Sequence, residues 1–445
     1  MTIQICTVGG YEEVGKNMTA IKVDDEVVII DMGLYLDAYV KYTEDEDVVD
    51  MSSSALMKIG AIPDTAPIKD WKKKVLAIIP THAHLDHVGA IPYLGKNFNA
   101  PVFCTPFTGE ILSRICKDEK ITLKNEIKIL NVNSTYKVSE KIKIEFVNMT
   151  HSTPQTVMAV IHTPYGKIVY GNDFKFDDRP VLGKKPAYDR LKRLNEDGEV
   201  ICLIVDCTRA ADERKTPSEQ VARDMLRDVM LGCDSEGKAI IVTTFSSHIA
   251  RLKSIVDFGK KLKRKIVFLG RSLSKYVGAA EAIGIVNFSN DVKIVGFKKK
   301  IKKQLKEIQK DPSKYLIVCT GHQGEAKSVL SRIATGEFDF KLGKEDHVIF
   351  SCTIIPTPLN YANRKILEDN IKKKGVRLFK EIHVSGHAAR EDLRDLINMV
   401  KPKHIIPAHG DLTMKTALVE LAEDIGYNVG ETIHMMRDGQ MRKFE

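Results

Sequence analysis

The chain is poorest in the features that mark exported and membrane proteins. None of the apolar stretches in its 445 residues reaches the roughly 18 residues that a bilayer-spanning helix needs. The opening MTIQICTVGG lacks the charged start and long apolar region of a signal peptide. Eight cysteines (Cys6, Cys104, Cys116, Cys202, Cys207, Cys233, Cys319, Cys352) are scattered without a CxxC, most of them in apolar runs where a free thiol behaves as a small buried hydrophobe. These absences predict a cytoplasmic, reduced protein that enters no membrane, and they speak against a cysteine zinc site. No short-period repeat is present, and the only biased segments are runs of lysine.

What is there begins with 43% hydrophobic residues, enough for two or three domains with full cores. The formal charge of +9 is concentrated in KKLKRK (Lys260 to Lys265) and FKKKIKKQLK (Phe297 to Lys306). Clustered lysine attracts a polyanion, although the default for a charge run is a solvated helix face.

The densest chemistry lies in THAHLDH, Thr81 to His87, directly after the apolar run VLAIIP. His82, His84, Asp86 and His87 sit on the loop leaving a buried strand, and side chains two apart on an extended loop converge on one ion. Further ligand types end other β-like runs: Asp31 after VVII, His151 after IKIEFVNMT, Asp173 after KIVYGN and His409 after HIIPA. Delivery from several strand ends suits a site at one edge of a sheet. The set has the size of a two-metal centre, with His82, His84 and His151 on one ion, Asp86, His87 and His409 on the other, and Asp173 between them. Asp31 is expected to orient a ligand histidine through its second nitrogen.

The HxHxDH motif, the later His151, the strand-end GND and the final PAHG together resemble the metallo-β-lactamase superfamily. VDCT around Asp206, SGHAARED around His387 and PAHG around His409 resemble the A, B and C motifs of its β-CASP branch of nucleases. GGYEEVGKNM, TTFSSHIAR, CTGHQGEAKSVLSRIA and SGHAAREDL are most similar to the ribonuclease J family, nearly end to end. Three departures stand out: His322 where the family more often has serine, Asp411 where glutamate is usual, and Cys207 where serine is common. The chain also stops soon after His409, so the extra C-terminal domain of many bacterial members is expected to be missing.

The resemblance implies an α/β fold, a metallo-β-lactamase αββα sandwich with an inserted doubly wound parallel β-CASP domain. The pattern agrees: short β-branched runs from Ile3 to Asp31 and from Lys141 to Asp173, then strands alternating with helices after Asp206. The expected limits are 1–207 for the first part of the sandwich domain, 208–375 for the insertion and 376–445 for the completion. Tyr42 to Trp71, acidic and then rich in Ser and Pro with little periodicity, reads as a long surface excursion near the site mouth or, alternatively, as an assembly loop. Thr216 to Glu219 (TPSE) reads as a capping box, with Val221, Met225, Leu226 and Val229 at helical spacing behind it.

As to function, the resemblance implies a zinc-dependent ribonuclease with two Zn²⁺, Mn²⁺ being an alternative. Its action is expected to be 5′ to 3′ exonucleolytic on 5′-monophosphorylated single-stranded RNA, leaving 5′-phosphate products, in a homodimer; the alternative is endonucleolytic. Two zinc ions supply a water acidified to a pKa of roughly 7 and neutralise phosphate oxygens. Asp86 serves the metal step. His387 is the expected general acid and Asp206 holds its imidazole. TTFSSHIAR places hydroxyls, a helix start and Arg251 where a phosphate can be cradled. The resemblance assigns Ser246, Ser247 and the backbone from Gly386 to Ala388 to the RNA 5′ phosphates, and His322 to the RNA channel. A small-molecule metallohydrolase would share HxHxDH but has no use for the insertion or SGHAARED. A non-catalytic scaffold would be expected to lose ligands that this chain keeps.

Overall fold

The computed structural model describes residues 2–45 and 51–444. The chain forms two compact units, one of residues 1–178, 183–216 and 386–445, the other of 179–182 and 217–385.

The first unit contains two sheets. One has seven strands in the order Gln440–Phe444, Ile3–Gly9, Met18–Val23, Glu26–Ile30, Val75–Ile79, Val102–Cys104, Ile127–Ile129. The other has six, in the order His404–Ala408, Val200–Asp206, Gly166–Gly171, Val157–Thr163, Lys143–Asn148, Ser134–Lys137. Alternation along each strand places the layers. Ile5, Ile21, Val28 and Ile30 of the first sheet share one core with Ile144, Phe146, Ile161, Ile168, Tyr170 and Ile204 of the second. The intervening Val147, Val160, Val169, Leu203 and Val205 face a different core, built with Leu393, Leu396 and Ile397 of helix Arg390–Val400 and Leu418 and Leu421 of helix Leu412–Asp424. Two sheets face to face with helices outside make the expected αββα sandwich.

The second unit holds one six-stranded sheet, Val292–Val295, Lys265–Leu269, Tyr315–Cys319, Ile240–Thr243, His347–Phe350, Arg377–Phe379, parallel at every pairing. The central strands Ile240–Thr243 and Tyr315–Cys319 are buried at all but one position, the pattern of a doubly wound sheet covered on both faces. By its internal contacts this unit runs from Pro217 to Ser385, with Arg179–Leu182, beside the expected limits of 208 and 375. Strand Arg377–Phe379 still pairs with His347–Phe350, and Arg209 still bridges to Ala389 in the sandwich.

One local expectation is corrected. The TPSE helix begins one turn-edge later, with Ser218 as its N-cap accepting from Gln220 N at 3.1 Å. Glu219 is no capping side chain: it is buried, and the inward face is Ala222, Leu226 and Met230, while Val221 is exposed. The stretch from Tyr42 to Trp71, expected to show little periodicity, carries the end of helix Leu36–Asp45, helix Ser53–Lys58 and the start of the 3-10 segment Ala66–Lys74. Residues 46–50, its acidic core, lie outside the described residues. No helix among the described residues is long and apolar enough to cross a membrane.

Candidate metal centre

The sandwich brings the carboxyl ends of its strands to one edge, where open α/β sheets place ligands. Glu26–Ile30 and Val75–Ile79 run parallel and deliver Asp31 and the Thr81 to His87 segment. Gly166–Gly171, Val200–Asp206 and His404–Ala408 also run parallel, and deliver Asp173, Asp206 and His409. Asp31, Asp173 and His409 each adopt a left-handed backbone (φ 59°, 43° and 57°), a conformation Asp and His tolerate better than most residues and one that gathers at functional sites.

HxHxDH is locked from both sides. His84 precedes the one-turn helix Leu85–Val88, which carries Asp86 and His87. Its carbonyls accept from the Met32 N–H (2.8 Å from His87 O), the Leu34 N–H (2.9 Å from Leu85 O) and the Asn17 N–H (3.1 Å from Asp86 O). Gly33 makes that approach possible: a Cβ there would stand 1.6 Å from Asp86 O.

Three donor groups result among the described residues, and all share Asp173: one with His82, His84 and His151, one with Asp86, His87 and His409, and a third with Asp206 and His387. In the first, His82 Nε2 and His151 Nε2 each lie 3.1 Å from His84 Nδ1, and Asp173 Oδ2 lies 3.4 Å from His82 Nε2 and 3.5 Å from His151 Nε2. In the second, Asp173 Oδ1 is 3.3 Å from His87 Nε2 and 3.5 Å from His409 Nε2, while Asp86 Oδ2 is 3.7 and 3.8 Å from the same nitrogens.

These sets fit divalent ions. Ligands of a tetrahedral zinc site at about 2.0–2.1 Å from the metal stand roughly 3.3–3.4 Å apart, close to the spacing of the first set. Burial pushes His82, His84 and His151 well below the usual imidazole range, which keeps them in the neutral form that ligates. At the second set, burial pushes His87 down but Asp173, Asp31 and Asp86 together hold it well above that range, so positive charge is favoured there. Asp173 Oδ1 is buried and has no hydrogen-bond partner, as expected of an oxygen reserved for a cation.

The remaining imidazole nitrogens are spoken for, which fixes tautomer and ring angle. His87 Nδ1 donates to Asp31 Oδ2 at 2.7 Å, and Asp31 also accepts from Thr81 N at 2.7 Å. His409 Nδ1 donates to Asn17 Oδ1 at 2.9 Å, and Asn17 Nδ2 donates to Asp86 O at 3.0 Å. His151 Nδ1 donates to Gly386 O at 2.7 Å, and a Cβ at Gly386 would stand 2.8 Å from that nitrogen. Asn17 and Gly386 are thus orienting residues; sequence reasoning missed the first and gave the second another role.

His387 stands beside the two sets. Its Nδ1 donates to Asp206 Oδ2 at 2.7 Å, and its Nε2 lies 4.0 Å from Asp173 Oδ2. Burial lowers its pKa, but Asp206 and then Asp173 outweigh that and hold it at about 9. The loop is tied down at His387 O, which accepts from Thr216 Oγ1 (2.8 Å), and at Asp392, whose carboxylate accepts from Thr216 N (2.7 Å) and Ala389 N (3.2 Å). Asp392, the last letter of SGHAARED, was also missed; an acid three residues after a helix start is the signal that could have found it. Ala388 is buried.

The second unit answers differently for its expected phosphate residues. Ser246 is buried, its Oγ 2.9 Å from Ser272 Oγ at the start of helix Arg271–Ala282. Ser247 is buried near the start of helix Ile249–Lys261, whose N-cap is His248. Arg251 does not reach a phosphate: it is fully buried, with Nε and Nη2 donating to Glu219 (2.6 and 2.8 Å) and Nη1 to Ser351 O (2.9 Å) and Ile382 O (3.2 Å). It lies on the inward side of its helix, and burial leaves it to neutralise Glu219. His322 packs edge-on against Phe245 at 4.3 Å, and burial lowers its pKa, so it is uncharged at neutral pH.

Three family models match: a "Ribonuclease J, beta-CASP domain" at residues 237–368, a "Zn-dependent metallo-hydrolase RNA specificity domain" at 376–433 and a "Beta-lactamase superfamily domain" at 48–219. Ribonuclease J of Methanocaldococcus jannaschii is 46% identical, over 100% of this chain and 99% of that one. The chain belongs to the ribonuclease J family. Ribonuclease J of Pyrococcus abyssi is 45% identical over 99% of this chain and 96% of its own length. Ribonuclease J 1 of Streptococcus pyogenes is 33% identical, and there the match spans 99% of this chain but 74% of the relative. A solved Enterococcus faecalis protein of unknown function shares the fold over 100% of both chains, with a TM-score of 0.66 at 18% identity.

Proposed function

We propose that the chain, a metal-dependent ribonuclease of the ribonuclease J family, hydrolyses single-stranded RNA in the 5′ to 3′ direction with two divalent cations, Zn²⁺ or Mn²⁺. His82, His84 and His151 hold one ion, Asp86, His87 and His409 the other, and Asp173 serves both. The observation that carries this reading is the division of Asp173, one carboxylate oxygen facing each donor set.

Bound ions of this kind supply a water acidified enough to attack at neutral pH and offset the charge on the phosphate oxygens. The chain's own task is the leaving group. His387, protonated at neutral pH, donates its Nε2 proton to the 3′ oxygen as the P–O3′ bond breaks, and Asp206 steadies the ring and stabilises its charged form. The cleaved nucleotide keeps a 3′ hydroxyl and the next begins with a 5′ phosphate. A small-molecule hydrolase has no need of the His387 and Asp206 pair.

The 5′ preference rests on Ser246 and Ser247. They lie at the carboxyl end of strand Ile240–Thr243, and Ser246 is beside Ser272 where a second helix begins. Hydroxyls and helix N-termini suit a terminal phosphate. The test is a 5′-phosphorylated, 3′-labelled RNA followed over time, beside a circular RNA of the same sequence. Mononucleotides accumulating from the linear RNA alone support the reading. Equal cutting of the circle makes the enzyme an endonuclease.

A further inference from the structure

The lysine run after Phe297 becomes helix Lys298–Ile308, and its two faces differ completely. Ile301, Gln304, Leu305 and Ile308 are buried. Diametrically opposite them, at spacings of four and three, are Lys299, Lys303 and Lys306, all exposed, with Lys310 continuing the stripe beyond the helix end. Flanking lysines are neutralised: Lys298 pairs with Glu337 at 2.7 Å and Lys302 with Asp339 at 3.7 Å. No ion pair engages Lys299, Lys303 or Lys306 among the described residues.

This arrangement works against the helix. Three lysines in its first turn oppose the positive end of the helix dipole. Like charges three and four apart repel one another. Nothing in the packing needs them, since the apolar face is already complete without them.

The positive surface also continues past the helix. Lys310 pairs with Glu307 at 2.8 Å, and the same carboxylate is lowered by Lys310 and further by the fields of Lys293 and Lys265. Lys265 opens one strand of the parallel sheet and Lys293 lies near the start of its neighbour, so the carboxyl end of the lysine-rich helix comes near Lys265, the last residue of the run 260–265. Phe297, at the other end of the stripe, is 67% exposed, with Lys300 Nζ 6.0 Å from its ring centre. An exposed aromatic beside a line of cations is the combination that holds single-stranded nucleic acid, bases stacking on the ring and phosphates following the charges.

We propose that this stripe, Phe297 with Lys299, Lys303 and Lys306, is an RNA-backbone binding site separate from the metal-ligand residues, and that it retains long substrates. It rests on the ribonuclease reading for its ligand. Successive lysines recur about once per helical turn of 5.4 Å, so an extended strand can meet them in series. The exposed aromatic is what favours RNA over an acidic protein as the occupant.

The test uses the full chain and two variants, the triple Lys299→Gln, Lys303→Gln, Lys306→Gln and the single Phe297→Ala. Binding of a long phosphorothioate RNA, which resists hydrolysis, is followed by fluorescence anisotropy against salt. In parallel, kcat/KM is measured on a long and a very short 5′-phosphorylated RNA. The triple variant should bind the long RNA more weakly, with the slope of log affinity against log salt smaller by up to about 2, roughly 0.7 per lost phosphate contact. Its kcat/KM should fall on the long RNA and hold on the short one, and its melting temperature should not fall. Phe297→Ala should weaken long-RNA binding without changing the slope, and a triple Lys→Arg variant should restore binding. Unchanged affinity and slope in the triple variant overturn the proposal, as does poly-glutamate binding as tightly as RNA with Phe297→Ala without effect on either. If wild type binds the long RNA through this stripe but cleaves neither RNA, the site stands and the ribonuclease reading fails.

Discussion

Replacing His387 by alanine separates a proton donor from a metal ligand. The structure gives the imidazole one strong partner, Asp206 at 2.7 Å, and leaves its Nε2 4.0 Å from Asp173 Oδ2. Neither of the two sets proposed to hold the ions includes it, although it groups with Asp173 and Asp206, so His387→Ala should bind metal like wild type. The chemical step should slow by about 10²–10⁴, the usual yield of a general acid, equivalent to about 2.7–5.4 kcal/mol of barrier at 1.36 kcal/mol per decade. Single-turnover cleavage with elemental analysis of the same preparation reads both quantities. The pH profile adds a sign. An acid must be protonated to work, and His387 is held at about 9, so activity should be lost as pH rises through that region. Bound cations beside it lower the value, which places the falling limb at or below about 9. Asp206→Asn removes the largest charge holding the proton and should move the limb to lower pH. Loss of one metal equivalent from His387→Ala, or a limb unmoved in Asp206→Asn, would refute the assignment.

Asn17→Ala should leave the fold intact but weaken metal binding by about 10–100-fold, because His409 Nδ1 loses the acceptor at 2.9 Å that aims its other nitrogen; a competitive chelator titration measures it. Arg251→Ala should lower the melting temperature sharply, by a stability loss of about 3–5 kcal/mol, since the buried Glu219 carboxylate loses its partner at 2.6 Å and keeps His248 at 3.3 Å. A stable Arg251→Ala protein with weakened RNA binding would restore a phosphate role to that residue.

The clustering of the candidate ligands was legible because these residues obey local rules. Asp31, the Thr81 to His87 segment, His151, Asp173 and His409 each follow an apolar run, which placed them at strand ends, and the alternation of strands and helices after Asp206 announced the parallel sheet. What escaped depends on partners distant in the chain. Asn17 meets His409 across 392 positions and His151 meets Gly386 across 235, separations that leave no spacing to read. Arg251 was misread for the same reason: a helix start suggests an anion site, and only the fold shows that Glu219 already occupies the guanidinium. Glu219 in turn mimicked a capping residue because TPSE satisfies the pattern while burial of the glutamate overrides it.

The most direct measurement is a count of bound metal beside turnover, in wild type and in Asp173→Asn, a change that keeps the side chain's size while removing the charge both donor sets share. Wild type should hold two divalent ions per active chain. Asp173→Asn should hold fewer than two, with RNA cleavage reduced by several orders of magnitude. Full activity with a single ion, or Asp173→Asn retaining both ions and its activity, would contradict the two-metal reading.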